Sequence, residues 1–194
     1  NPNEIKNVME EAFTIANTGK KGSVHIDLPK CILTSETNEK YEFSESYSNE
    51  IIKYSKSISK IADIILNANR PILYIGQGAK NTSEDIRNIA QYFQIPVTST
   101  LHGMGIFDET HVLSLKMCGM HGNAAANYAL QEADCIIAIG SRFDDRTTGD
   151  VSKYAPKCTN FIHLNINESE INKVVKGDYI MGDCKKTVKL LYDN

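Results

Sequence analysis

The sequence predicts an α/β protein built on a doubly wound, mainly parallel sheet with helices on both faces. Two observations carry this. Short runs such as "PILYI" and "CIIAI" are apolar at nearly every position, as strands buried on both faces must be. Between them stand amphipathic stretches of helical period, and strands alternating with such helices imply parallel βαβ units.

The first thirty of the 194 residues hold one helix and one strand. In "NEIKNVMEEAFTIANTG", Ile5, Val8, Met9, Ala12, Phe13 and Ala16 recur at helical spacing, and Gly19 is placed to end the helix. "SVHIDLP" then alternates and stops at Pro29. A lone helix and strand cannot bury their apolar faces, so residues 1–30 are expected to be the end of a preceding domain. Residues 31–54, centred on "TSETNEKYEFSESYSNE", contain glutamates and serines but no aliphatic residue at their centre and read as a solvated linker.

From residue 55 to 194 the pattern is regular. "SISKIADIILNANR" places Ile58, Ile61, Ile64, Ile65 and Ala68 on one side of a helix, and "PILYIGQG" is a buried strand ending in a glycine turn. "SEDIRNIAQYFQ" is helical with Ser83 as candidate N-cap, and "IPVTSTLHGMG" is a second strand with another glycine-rich loop. "NAAANYALQEA" is helical, "DCIIAIGSRFDD" a third strand and "NFIHLNI" a fourth. "SEINKVVKG" is expected to be a short helix, "DYIMGD" a short strand, and "CKKTVKLLYD" a closing helix.

Composition narrows the function classes. A formal net charge of −3 supplies no electrostatic footprint for nucleic acid. There is no stretch of about 20 apolar residues, so no membrane span is expected. The N-terminus lacks Met and has neither a basic nor an apolar leader, reads as a cut into a longer chain, and leaves targeting open. Cys31, Cys118, Cys135, Cys158 and Cys184 are scattered, and no pair has CxxC spacing, which speaks against a zinc site or a disulfide framework. Cys135 reads as a small buried hydrophobe. Free thiols point to a reducing compartment.

In an open parallel sheet, ligands bind beyond the carboxyl ends of the strands, where the strand order reverses. Those ends are "GQGAKN" (76–81), "TLHGMG" (100–105), "GSRFDD" (140–145), "NINESE" (165–170) and "GDC" (182–184), and glycine ends or follows four of the five strands. Such glycines are expected to bring backbone N–H groups close to a flat or phosphorylated ligand. "GQGAKN" fails as a dinucleotide fingerprint, because Asn81 holds the third glycine place, which disfavours a standard NAD site. Arg142 and Arg146 straddle Asp144 and Asp145. They read either as a local salt-bridge cluster or as guanidinium groups aimed at a ligand anion. In "KMCGMHG", Gly119 and Gly122 bracket Met120 and His121, which point to contact with a ring system. Metal is not expected, since no second His or Cys stands at ligand spacing. There is no GxSxG elbow and no P-loop.

"IGQGAKN", "IPVTSTLHGMGIFD", "MCGMHGNAAANYA", "ADCIIAIGSRFDDRTTG" and "INKVVKGDYIMGD", with "GSVHIDLPK" upstream, resemble the catalytic subunit of acetohydroxyacid (acetolactate) synthase, a thiamine-diphosphate enzyme. The resemblance implies three α/β domains that use thiamine diphosphate, Mg2+ and FAD. They condense two pyruvates, or pyruvate with 2-oxobutyrate, with loss of CO2, at the start of branched-chain amino-acid synthesis. It makes residues 1–30 the end of the pyrimidine-binding domain, 31–54 the linker and 55–194 the FAD-binding middle domain. It places cofactor contacts at Lys20, Gly76, Gln77, Gly78, Asn81, Thr100, Leu101 and His102. Further contacts fall at Gly119, Met120, His121, Gly140, Ser141, Arg142, Asp144, Arg146 and Thr147. Asn165, Ile166, Gly182, Asp183 and Cys184 stand toward the adenosine end, and Met120, Asp145 and Arg146 border the substrate channel.

Three positions depart from the family pattern: Lys20 replaces a usual arginine, Asn165 a usual acidic residue, and His102 a frequent glutamine. They keep open a flavin-free middle domain that serves as a spacer. Another carboligase, such as glyoxylate carboligase, is a further alternative. The resemblance puts the cofactor-activating glutamate before residue 1 and the GDG motif for Mg2+ and diphosphate after residue 194. No catalytic residue is therefore expected here, and residues 1–194 alone are expected to be inactive. Expected partners are the flanking domains, a second subunit in a homodimer or tetramer, and a regulatory subunit. The expected compartment is bacterial cytoplasm or, in an alga or plant, the plastid.

Overall fold

The computed structural model describes residues 1–38, 40 and 52–194. Half of the expected linker, residues 39 and 41–51, thus lies outside the described residues. The chain forms two units, Asn1–Glu50 and Ile51–Asn194.

In the first unit, α1 (Ile5–Asn17) follows a 3-10 turn and buries only Ala12. Val8, Phe13 and Ile15 of its apolar stripe stay exposed. The helix stops two residues before Gly19, where the Asn17 side-chain amide donates to the Phe13 carbonyl. The strand expected at 23–29 does not form, because a strand needs a ladder partner and none stands beside it among the described residues. A one-turn α2 (Lys30–Leu33) follows Pro29.

The second unit is a seven-stranded sheet. In chain order its elements are β1 (Lys53–Tyr54), α3 (Ile58–Leu66), β2 (Pro71–Ile75), α4 (Ser83–Phe93), β3 (Val97–Ser99), β4 (Ser114–Met117), α5 (Ala124–Glu132), β5 (Cys135–Ile139), α6 (Asp145–Thr148), β6 (Asn160–Asn165), β7 (Asp178–Met181) and α7 (Cys184–Tyr192). The sheet order is β1-β7-β6-β5-β2-β3-β4. All neighbours are parallel except β1, which runs antiparallel to β7.

The central strands separate two cores by simple alternation. Leu73, Ile75, Ile137, Ile139, Ile162 and Leu164 face α3, α4 and α7, while Ile72, Tyr74, Ile136, Ala138 and Phe161 face the other way. That second face is covered by α5 (Ala126, Leu130) and by irregular segments carrying Phe143, Tyr154 and Val175. Cys135 is fully buried, as a small hydrophobe would be.

Four local expectations change. "SEINKVVKG" is not a helix: Asn172 turns left-handed (φ +59°), and its side chain accepts from the Gly177 N–H. The N-cap of α4 is Thr82 and Ser83 is its first helical residue. β1, inside the expected linker, covers the edge of β7, with Ser55 Oγ and Lys56 Nζ bonded to the Asp178 carboxylate. β4 carries no sequence signal because it is four residues long and kinked at Lys116 (φ +64°), where its register on β3 shifts.

His163 on β6 is buried under this second face, and burial holds its pKa below the ordinary histidine value. The unfolded chain therefore binds a proton that the folded one refuses. Stability from this group is complete above about pH 6.5 and declines as pH falls through the window down to the folded pKa. Urea midpoints at pH 7.5 and 5.5 should differ in that direction, and His163→Gln should flatten the difference. The lowered carboxyls of Asp108, Glu132 and Asp150 contribute only at more acid pH.

Candidate functional site

β2 leads to β3 and β4 on one side, and β5 leads to β6 and β7 on the other, so the strand order reverses between β2 and β5. Ligand crevices of doubly wound sheets open at that point. Here two loops meet backbone to backbone. A Cβ on Gly76 would lie 2.5 Å from the Gly140 carbonyl oxygen, and one on Gly78 would lie 2.7 Å from Gly140 Cα.

The glycines do not offer free N–H groups to a ligand as the sequence suggested. Gly76 donates to the Ile139 carbonyl, Gly78 to Gly140, Gly140 to Leu164, Gly119 to Asn127 Oδ1 and Gly182 to Asn165. Their role is close approach of chain to chain. Neighbouring side chains supply the exposed polar surface: Gln77, Asn81, His102 and His121 are exposed, as are Leu101 and Met120.

The loop after β5 is organised by alternate burial. Ser141 is buried, Arg142 exposed and Phe143 buried. Asp144 Oδ1 caps α6 by accepting from the Thr147 N–H (3.2 Å) and hydroxyl (3.3 Å). Among the described residues, Arg142, Asp145 and Arg146 form no ion pair, so a local salt-bridge cluster is not what the charges build. The Asp144 carboxylate is turned to the helix start, and both guanidinium groups remain available to an anion. Ser141 Oγ is buried with no hydrogen-bond partner.

The "GMHG" loop seats against α6. The Met120 N–H donates to the Arg146 carbonyl (2.8 Å), and a Cβ on Gly119 would lie 2.7 Å from the same oxygen. Between this loop, α5 and α6 is an open cavity of about 260 Å³ lined by Met120, Asn127, Gln131, Asp145 and Arg146, among others. Tyr74 on β2, packed against Phe143, is fully enclosed, and burial raises its phenol pKa far above the ordinary value.

At the ends of β6 and β7 the side chains serve the protein itself. Asn165 Nδ2 donates to the Ser141 carbonyl (2.9 Å) and its Oδ1 accepts from the Asn167 N–H. Asp183 caps α7. The Cys184 thiol is buried, reaches the Leu164 carbonyl, and is pushed up to about 12, so it stays protonated. Thr100 Oγ1 accepts from the Gly103 N–H, and Ile166 is half-buried. Lys20 lies in the first unit on the exposed bend after α1.

Two residues that organise the site carried no signal of that role in the sequence. Asn127 clamps Gly119 by accepting from its N–H and donating to its carbonyl. Phe143 is the other, and its left-handed backbone is invisible in sequence.

A family model described as "Thiamine pyrophosphate enzyme, central domain" matches residues 58–191. The chain belongs to that thiamine pyrophosphate enzyme family. Its matched region contains the whole sheet except β1, with all five strand ends of the crevice. The chain is 42% identical over 197 residues to a probable acetolactate synthase large subunit of Methanocaldococcus jannaschii, covering 97% of this chain and 33% of that protein. It is 38% identical over 200 residues to the acetolactate synthase large subunit of Corynebacterium glutamicum, covering 100% and 32%. It is 40% identical over 189 residues to the mitochondrial acetolactate synthase catalytic subunit of Saccharomyces cerevisiae, covering 87% and 28%. The chain thus spans about a third or less of the length of these relatives. No described helix is long and apolar enough to cross a membrane, and no three described His, Cys, Asp or Glu side chains gather as metal ligands.

Proposed function

We propose that this chain is the FAD-binding middle part of an acetolactate synthase catalytic subunit. In that reading residues 1–30 end the pyrimidine-binding domain, 31–54 link, and 55–194 hold the flavin. The full-length enzyme condenses two pyruvates, or pyruvate with 2-oxobutyrate, using thiamine diphosphate and Mg2+ bound by its other domains. It works as a homodimer or tetramer, with a regulatory subunit as a further partner. The relatives' names support the activity.

The observation that carries the flavin is Ser141 Oγ, a buried hydroxyl without a partner at the switch point, next in the chain to Arg142, which like Arg146 forms no ion pair among the described residues. A buried hydroxyl left unpaired costs about 1–3 kcal/mol, and a dinucleotide diphosphate is an acceptor that would remove the cost. The residues present therefore fit the group. Arg142 and Ser141 would hold the diphosphate, with Arg146 and Gln77 near it. Met120 and His121 would meet the ring system, and Ile166 and Asp183 the adenosine end. Asn165 and Cys184 support from behind, through the bonds they already make. FAD supplies a bound flavin with no obligatory redox part in the condensation. What the chain's own residues do is orient it and exclude water along the crevice.

FAD titration of the full-length protein, read by flavin fluorescence and thermal shift, tests this. At a dissociation constant near 1 μM, a hundredfold excess adds about 2.7 kcal/mol of stability. Arg142→Ala should remove most of that gain. No uptake of FAD by the full-length protein would leave the middle domain as a flavin-free spacer, a reading favoured by the internal use of the glycine N–H groups. Acetolactate should form from pyruvate with the full-length protein and not with residues 1–194 alone.

A further inference from the structure

We propose that Phe143 is a positioning residue for Arg142, a buried ring whose left-handed backbone fixes where the guanidinium stands at the crevice. The ligand side of this rests on the flavin reading; the anchoring rests on the fold. Phe143 has φ +53°, a region that bulky side chains avoid. It is nonetheless 1% exposed. Its ring centroid lies 5.2 Å from Tyr74 on β2 and 5.3 Å from His163 on β6. It lies 6.0 Å from Tyr154, after α6, and 6.0 Å from Phe161 on β6. All four rings are tilted or edge-on to it, at separations where aromatic pairs attract.

A strained backbone persists only where its surroundings over-determine it. Four rings from three segments do that here. On the other side of Arg142, the Ser141 carbonyl is held by Asn165 Nδ2 at 2.9 Å. Arg142 is therefore the single exposed residue between two buried, fixed neighbours. Asp144, the next carboxylate in the chain after Phe143, is already bonded to Thr147. The guanidinium is held out of its own loop and starts close to the place where an anion must find it. Pre-organisation of this kind lowers the freedom lost on binding.

The test uses the full-length protein with Phe143→Ala, Phe143→Leu, Arg142→Ala and the double variant. FAD affinity is read by fluorescence titration, and trypsin cleavage of the Arg142–Phe143 bond is followed by mass spectrometry without FAD. If Phe143 acts through Arg142, Phe143→Ala weakens FAD about tenfold, and the same change in the Arg142→Ala background adds less than about twofold. Phe143→Leu, which keeps apolar volume, should fall between wild type and Phe143→Ala. Additive losses in the double variant overturn the proposal, because a residue that only stabilises the fold would not depend on what stands at position 142.

Cleavage after Arg142 should rise about tenfold in Phe143→Ala under conditions where circular dichroism shows the variant folded, since protease reaches only an opened loop. An unchanged rate also overturns the proposal. If Phe143→Ala fails to fold, Phe143→Leu carries both readouts. If wild type takes up no FAD, the flavin reading fails, and cleavage alone decides whether Phe143 anchors the loop.

Discussion

Gly140→Ala should destabilise the protein by about 3–5 kcal/mol, a large share of a total of roughly 5–15. Two effects combine at this position. The backbone is left-handed (φ +61°), which penalises any Cβ. A Cβ there would also lie 2.5 Å from Gly78 Cα and 2.5 Å from its carbonyl carbon, so backbone must move. Moving it breaks the Gly78 N–H to Gly140 bond (3.0 Å) and disturbs the Gly140 N–H to Leu164 bond (2.8 Å). The effect should reach the site as well as the stability, because these loops are the two walls of the crevice. Chemical denaturation is the measurement. As a control, Gly105→Ala meets nothing within 4 Å of its Cβ and should carry only the cost of its left-handed φ, about 1–2 kcal/mol. Equal losses at both glycines would mean that chain-to-chain contact is not what Gly140 provides.

Asn165→Asp should cost about 2–3 kcal/mol at neutral pH, the price of a buried charge-bearing acceptor set against another acceptor. Asn165 uses both halves of its amide, donating to the Ser141 carbonyl and accepting from the Asn167 N–H. A carboxylate keeps the second bond and turns the first into a repulsion between oxygens. Burial at 8% exposure leaves little water to relieve it. The substituted carboxyl should therefore have a folded-state pKa above its unfolded value, since the protonated acid can donate to Ser141 again. Its sign follows: the variant is best tolerated at low pH, and its deficit grows as pH rises through the raised pKa. Urea midpoints of wild type and variant between pH 4.5 and 7.5 should diverge with rising pH. Parallel curves would show that the substituted carboxyl is not raised by the Ser141 carbonyl, and coincident curves that the Ser141 bond contributes nothing. The family resemblance gives an acidic residue as usual at this place, so the result also measures how far this chain has made the position a lock on the loop.

Much of the molecule was determined by sequence alone. Apolar runs flanked by glycine decide strand after strand, because a strand buried on both faces has no position left for a polar residue; β2 and β5 are legible for that reason. The apolar face of α3 follows from period alone, and α4 and α7 are legible as helices. The loops at the strand ends are legible too, since a turn must follow each strand. Tertiary structure decided what those loops do. Whether "SVHIDLP" is a strand depends on a partner its own residues do not encode. Residues 171–176 turn at Asn172 and pack Val175 on the sheet without needing a helix. The glycines of the crevice meet one another through backbone atoms, and that use of their N–H groups is set by which loops lie side by side. Phe143 gives the plainest case. Its side chain marks it as core, but its left-handed backbone is imposed by four rings that come together only when β2, β6 and the segment after α6 have packed. Local chemistry selects the elements, and long-range contact selects which exposed charge is left free to act.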